Sequence, residues 1–101
     1  MDFGEPVGQE QGYRRPAVIV SADRLNASRA GLVIVVPVTT TRRGLPSHIE
    51  IESGGGLRET SYAKVEDIKS VSVDRLSRRL GAAPLDALHQ IEQVMWILLG
   101  R

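Results

Sequence analysis

The chain contains no cysteine. This absence excludes disulfides and thiol chemistry, and it is typical of proteins from a reducing compartment. The chain also lacks a signal-peptide pattern and any apolar run of 18 residues, which predicts a cytoplasmic protein with no membrane partner.

Aromatic residues and lysines are both scarce. Aromatics make up 4% of the sequence, which limits extended base stacking on single-stranded nucleic acid. A net charge of +1 argues against a polycation that coats nucleic acid. However, eleven of the thirteen basic residues are arginines, whose planar guanidinium groups bind phosphate in a bidentate manner. The charge pattern therefore favours a local phosphate-binding site.

The 101 residues predict one domain that buries roughly 65% of its unfolded surface. Because the core of such a domain is thin, oligomerisation is a natural supplement. The pattern along the chain predicts a loop over 4–14 and buried strands over 15–21 and 32–40. It then predicts a half-exposed strand over 47–52, short strands over 61–65 and 68–73, and a helical turn or short strand over 74–80. Residues 1–3 are too few for a full strand. Pro37 has no N–H to donate, so it marks an edge, a bulge or the end of regular pairing.

The last segment predicts an amphipathic helix with Pro84 at its first position. The last two turns of this helix are apolar nearly all round, which predicts contact on more than one side. The apolar residues that recur at helical spacing are Leu85, Leu88, Ile91, Met95, Leu98 and Leu99. Short strands, turns and one terminal helix together predict a mainly β fold (α+β): a small antiparallel barrel with a C-terminal α-helix.

Polar side chains flank both buried strands. Glu10, Arg14 and Arg15 precede the apolar run of the first strand, and Thr39 to Arg43 follow the apolar run of the second. If the strands are neighbours, these groups converge on one groove with arginines, hydroxyls and a carboxylate, a suitable receptor for a phosphodiester. Surface arginines on a hairpin loop and a solvated corner are the alternative interpretation of the same residues.

Other polar residues make weaker candidates. His48 is placed on an exposed strand face and His89 early on the helix, and their spacing does not predict a metal site. Gly54 to Gly56 lacks the Lys-Ser/Thr of a phosphate loop. No cofactor and no metal are expected.

The segments GQEQGYRRPAVIVS, LVIVVPVTTTRRGLPSHIEI and YAKVEDIKSVSVDRLSRRLG, followed by the terminal helix, resemble the MazF/PemK family of toxins over nearly the whole chain. The two-part signature is E-Q-G-x-R-R-P followed by V-P-V-T-T. The resemblance implies an SH3-like barrel, a homodimer, sequence-specific cleavage of single-stranded RNA (mRNA, tRNA or rRNA), a cognate MazE-like antitoxin that blocks the site, and DNA contact only through the antitoxin complex.

The resemblance also assigns residues. It implies that Arg15 and Thr39 form the catalytic pair and that Glu10 lies in the loop that shapes RNA access. Because a guanidinium is a poor base near neutral pH, Glu10 is the better candidate for the general base. The residues expected to bind RNA lie in the same segments: Gln9, Gln11, Tyr13, Arg14, Thr40, Arg42 and Arg43.

Family members usually begin with a full strand, of which only Met1 to Phe3 is present here. We therefore expect either a start upstream or a barrel without most of that strand.

The expected mechanism is attack of the 2′-hydroxyl on the adjacent phosphorus without metal, which yields a 2′,3′-cyclic phosphate and a 5′-hydroxyl. Two alternatives stay open at this point. One is a non-catalytic toxin that inhibits DNA gyrase through its C-terminal helix end, and the other is a nucleic-acid-binding repressor without catalysis.

Overall fold

The computed structural model describes residues 7–10, 15–54 and 56–100, with the backbone alone at 7–10, 23 and 77–79. Within these ranges it has seven strands, two α-helices and two 3₁₀ turns. In chain order they are β1 (Val7–Glu10), β2 (Pro16–Ile19), α1 (Asp23–Asn26), β3 (Leu32–Thr39), β4 (His48–Ile51), β5 (Ser61–Lys64), the turn Val65–Asp67, β6 (Lys69–Ser72), the turn Val73–Arg75, β7 (Leu76–Gly81) and α2 (Leu85–Leu98).

The strands form an antiparallel sheet in the order β4-β5-β3-β2-β1-β7. One edge of β3 has two partners, because β6 pairs with Leu32 to Val35 and β5 pairs with Val38 and Thr39. Pro37 lies between these two stretches, where a residue without an N–H interrupts no ladder. One of the predicted alternatives, an end of regular pairing, is therefore found on this edge of β3, whereas on the other edge Pro37 pairs with Ala17 of β2.

Alternation along β2 and β3 gives the sheet an apolar cluster on each face. On one face, Val18, Val36 and Val38 pack with β4, β5 and α2. On the other, Ala17 and Ile19 pack with Val33, Val35 and Val71.

Helix α2 contributes Ala87, Leu88 and Ile91 to the first of these clusters. Leu85 is 61% exposed. The predicted apolar stripe of the helix is therefore longer than the part of it that packs against the sheet. Trp96, Ile97, Leu98 and Leu99 are also more than half exposed in this chain. Pro84 is the N-cap and not the first helical position, and it makes no side-chain capping bond.

The predicted loop over 4–14 is wrong at Val7–Glu10, which form β1 and pair with both β2 and β7. The local sequence, with Gly8 and three further residues of mixed polarity, has no strand periodicity. Pairing with the adjacent strand β2 on one side and the distant strand β7 on the other stabilises it instead. The segment predicted as a turn or short strand is both, since the turn Val73–Arg75 leads into the six-residue strand β7. Residues 1–3 lie outside the described residues.

The sheet is strongly curled but, among the described pairings, not closed into a complete barrel. Gly56, after β4, lies against Leu80 of β7, although these two strands end the pairing order. A Cβ on Gly56 would lie 2.3 Å from the carbonyl oxygen of Leu80. The predicted mainly β fold, an antiparallel sheet with a C-terminal α-helix, is confirmed; the predicted barrel is present only as a barrel-like curl, because the described pairings do not join β4 to β7. In the described part of the chain, no helix has the length and apolarity needed to cross a membrane.

This approach predicts that Gly56→Ala destabilises the fold. The φ of Gly56 is +97° and the obstructing atom is backbone, so we expect a loss of about 2–4 kcal/mol in the free energy of unfolding. Urea denaturation measures it. Gly54→Ala is the matched control, because Gly54 has a φ of +124° but nothing within 4 Å of its added Cβ. Equal losses in both variants would show that strain alone, and not the contact with Leu80, matters.

Candidate active site

The register of the sheet places several polar residues on one face. Ala17 pairs with Pro37, so Arg15, two residues before Ala17, continues toward Thr39, two residues after Pro37. Thr39 pairs with Tyr62 of β5, and Lys64, two residues along, pairs with His48 of β4. Because paired residues and residues two apart share a face of a sheet, all of these side chains emerge on the same side.

An open cleft of about 660 Å³ occupies this face, beyond the apolar cluster that contains Ala17 and Val35. It is lined by Arg15, Pro16, Val38, Thr39, Thr40, Thr41, Arg43, His48, Ser61, Lys64, Glu66 and Asp67. The two segments identified from the sequence thus meet in one cleft.

The other predicted site residues either do not line the cleft or are described only in part or not at all. Arg42 is exposed but does not line the cleft. Gln9 and Glu10 belong to β1, where Gln9 pairs with Pro16, and the structure describes only their backbone. Gln11, Tyr13 and Arg14 lie outside the described residues.

The Thr39 hydroxyl is held by the chain that follows it. Its Oγ1 accepts a hydrogen bond of 3.1 Å from the backbone N–H of Thr41. A hydroxyl that accepts from the backbone keeps its own O–H for donation. Thr39 therefore presents one oriented donor at the edge where Arg15 enters the cleft.

The prediction that His48 points outward into solvent is wrong. Its side chain is 3% exposed, although it shares a face with the exposed Glu50. The turn Val65–Asp67 covers this end of β4, and Glu66 Oε2 lies 2.8 Å from His48 Nε2. Strand alternation predicts which face a side chain is on, but it does not predict what covers that face.

Glu66 is the one described carboxylate of the cleft that two neighbouring side chains hold in place. Ser47 Oγ donates to its Oε1 at 2.7 Å, and His48 bonds to its Oε2. Burial alone would raise the pKa of Glu66, but the hydrogen bonds from Ser47, His48 and its own backbone, and the charge of His48, bring that pKa below 4.5. With a side chain 37% exposed, Glu66 is an ionised, accessible carboxylate at neutral pH.

The sequence did not single out Glu66, Lys64 or Ser61. His48 and Glu66 are 18 residues apart, and no local motif links them. Only the pairing of β4 with β5 brings them together. A signal was present in the alternation of Tyr62, Lys64 and Glu66, which indicates one shared face.

Lys64 Nζ lies 3.4 Å from Asp67 Oδ2, so the cleft also holds a partly exposed ion pair. Among the described residues, no group of three or more His, Cys, Asp or Glu side chains is placed to hold a metal ion. His89 is exposed on α2 and does not line the cleft.

Comparisons with known proteins agree with this fold. The model of the PemK-like, MazF-like toxins of type II toxin–antitoxin systems matches residues 1–99. Endoribonuclease MazF9 of Mycobacterium tuberculosis is 32% identical over 94% of this chain and 86% of its own length.

Solved structures give the same result. A Deinococcus radiodurans MazE–MazF crystal structure superposes with a TM-score of 0.86 at 26% identity, covering 100% of this chain and 97% of that one. A mycobacterial endoribonuclease in complex with its cognate antitoxin gives a TM-score of 0.79 at 26% identity, with 96% and 92% of the two chains covered. This chain therefore belongs to the family of PemK-like, MazF-like toxins of type II toxin–antitoxin systems.

Proposed function

We propose that this toxin is an endoribonuclease that cleaves single-stranded RNA in the cleft between Arg15 and Glu66. The observation that carries the proposal is the meeting of Arg15, Thr39 and an ionised carboxylate in one open cleft. These are a phosphate-binding fork, a hydroxyl donor and a base, which together suit attack by a ribose 2′-hydroxyl. Relatives named endoribonucleases support the same activity.

In this mechanism Arg15 and Thr39 stabilise the charge that grows on the phosphate oxygens as the 2′-oxygen attacks phosphorus. Glu66 accepts the 2′-hydroxyl proton, while the departing 5′-oxygen takes a proton from water in the open cleft. The products are a 2′,3′-cyclic phosphate and a 5′-hydroxyl. Glu66 replaces Glu10 as the candidate base, because the described contacts hold its carboxylate in the cleft. Thr40 and Arg43 line the same cleft and are placed to contact flanking groups of the RNA.

The proposed biological setting is that of a toxin–antitoxin pair. The toxin acts in the cytoplasm, where cleavage of RNA stops translation and growth, and a cognate MazE-like antitoxin neutralises it. Structures of MazE–MazF and of a mycobacterial endoribonuclease with its antitoxin support this partner. Contact with DNA is expected only through the antitoxin complex. A homodimer would cover the exposed apolar residues at the end of α2, such as Trp96 and Ile97.

The two non-catalytic alternatives are less well supported. A gyrase inhibitor that acts through the helix end, or a repressor, has no use for a hydroxyl donor and an oriented carboxylate in the cleft that Arg15 lines. The named relatives also favour RNA cleavage.

Incubation of the purified protein with a long RNA of mixed sequence, in excess EDTA, tests the proposal. We expect discrete cuts whose ends carry 2′,3′-cyclic phosphates, and no cleavage when the nucleotide 5′ of a mapped cut is 2′-deoxy, because DNA lacks the attacking hydroxyl. Cleavage of the deoxy substrate, or loss of activity in EDTA, would reject the mechanism. Intact RNA together with inhibition of gyrase would favour the first alternative.

A further inference from the structure

A second cavity of about 370 Å³ adjoins the cleft, and the two share Arg15, Pro16, Lys64 and Asp67. Ala17, Pro37 and Lys69 complete the lining of the second cavity. Arg15 therefore stands at the junction of two connected depressions. A chain whose scissile phosphate contacts Arg15 can extend from the cleft into this second cavity.

The charges of the second cavity suit a phosphodiester. Three of its lining side chains, those of Arg15, Lys64 and Lys69, are basic, and one, that of Asp67, is acidic. The acidic group lies beside Lys64. Lysine contributes a compact charge that binds phosphate without a fixed geometry, and this suits a contact that positions the backbone and reads no base.

The sheet register fixes where Lys69 stands. Lys69 pairs with Val35, four residues before Thr39 on β3. At about 3.3 Å per residue, this is roughly 13 Å along the strand from the Thr39 level. Val35, Pro37 and Thr39 share one face, so Lys69 emerges on the face that carries the cleft. This backbone offset favours contact of Lys69 with a phosphate other than the scissile one.

We propose that Lys69 is a substrate-positioning residue that binds the phosphate of a nucleotide flanking the cut in this second cavity. The inference rests on the proposed ribonuclease activity and adds a requirement to it: efficient cleavage needs RNA that extends past the cut on one particular side. Lys69 touches no reacting atom, so its effect falls on substrate binding and not on the chemical step.

The test uses oligonucleotides that span one mapped cut and are shortened one nucleotide at a time from either end. For Lys69→Ala on the longest oligonucleotide, we expect KM to rise about tenfold with kcat within about twofold, as for removal of one charge-assisted hydrogen bond. Lys69→Arg should restore KM. Because Lys69→Ala no longer binds this phosphate, the slope of log affinity against log salt should fall by about 0.7, the value for one phosphate on a single strand.

The decisive result is that the effect of RNA length on KM depends on Lys69 at one end of the RNA only. Shortening the substrate at that end should raise KM for the unsubstituted protein and leave Lys69→Ala unaffected, whereas shortening at the other end should affect both proteins equally. Arg29→Ala is the matched control, because it removes one positive charge at an exposed residue that lines neither cavity. It should change KM little.

Equal effects of Lys69→Ala on all lengths, or a fall in kcat with KM unchanged, would overturn the proposal. These results differ from failure of the proposed function itself, in which the unsubstituted protein cuts no RNA at any length and the Lys69 assignment falls with it.

Discussion

Arg15→Ala should lower kcat/KM for RNA cleavage by at least about 10³-fold, since removal of a single donor to a developing oxyanion costs about 10²–10³-fold and a guanidinium supplies more than one. The fold should not change. Arg15 is exposed and precedes β2, so its side chain contributes little to the core. Single-turnover cleavage of one mapped site and thermal unfolding of the same preparation measure the two quantities.

One further variant separates the bidentate geometry of the Arg15 guanidinium from its positive charge, and a second serves as a control. Arg15→Lys keeps the charge but lacks bidentate geometry, so its activity should lie between those of the unsubstituted protein and Arg15→Ala. Arg29→Ala removes an exposed arginine that does not line the cleft, and it should cleave at the normal rate. Normal cleavage by Arg15→Ala would remove Arg15 from the site.

Glu66→Gln should lower kcat by about 10²–10⁴-fold, the usual contribution of a general base. Glutamine keeps the size of the side chain and its hydrogen-bonding oxygen but cannot accept the 2′-hydroxyl proton at neutral pH. Single-turnover rates at saturating protein measure the effect. Glu50→Gln is the control, since Glu50 is an exposed carboxylate on β4 that does not line the cleft. A normal rate for Glu66→Gln would return the role of base to another group, with Glu10 the first to test.

The pH dependence gives a second readout for Glu66. Its pKa lies below 4.5, so the base is ionised and the rate is full at neutral pH; the rate falls only as pH drops through that lowered pKa. His48→Phe removes a hydrogen bond and a charge that lower the pKa, so the fall should begin at higher pH. If the rate falls at the same pH in His48→Phe as in the unsubstituted protein, His48 does not hold the Glu66 carboxylate in its ionised form.

Local patterns predicted much of the fold because they report burial directly. The apolar runs over 17–20 and 32–36, the alternation of Ile49 and Ile51, and the helical spacing of Leu88 and Ile91 all lie where the core requires them. Strand β1 was missed because Val7–Glu10 has no such pattern and is held by pairing with β2 and β7. Leu85 was misplaced because periodicity predicts an apolar stripe but not the length of the surface that covers it.

The sequence alone determined the family, the curled antiparallel sheet with its terminal helix, and the two segments that carry Arg15 and Thr39. These follow from residue order, which sets alternation, turns and motif spacing. Tertiary structure decided the rest of the cleft: the burial of His48 under a 3₁₀ turn, its hydrogen bond to Glu66, and the placement of Lys69 on the same face. The physical reason is that the free energy of strand pairing and burial depends on distant partners, and no spacing within one segment specifies which partners those are.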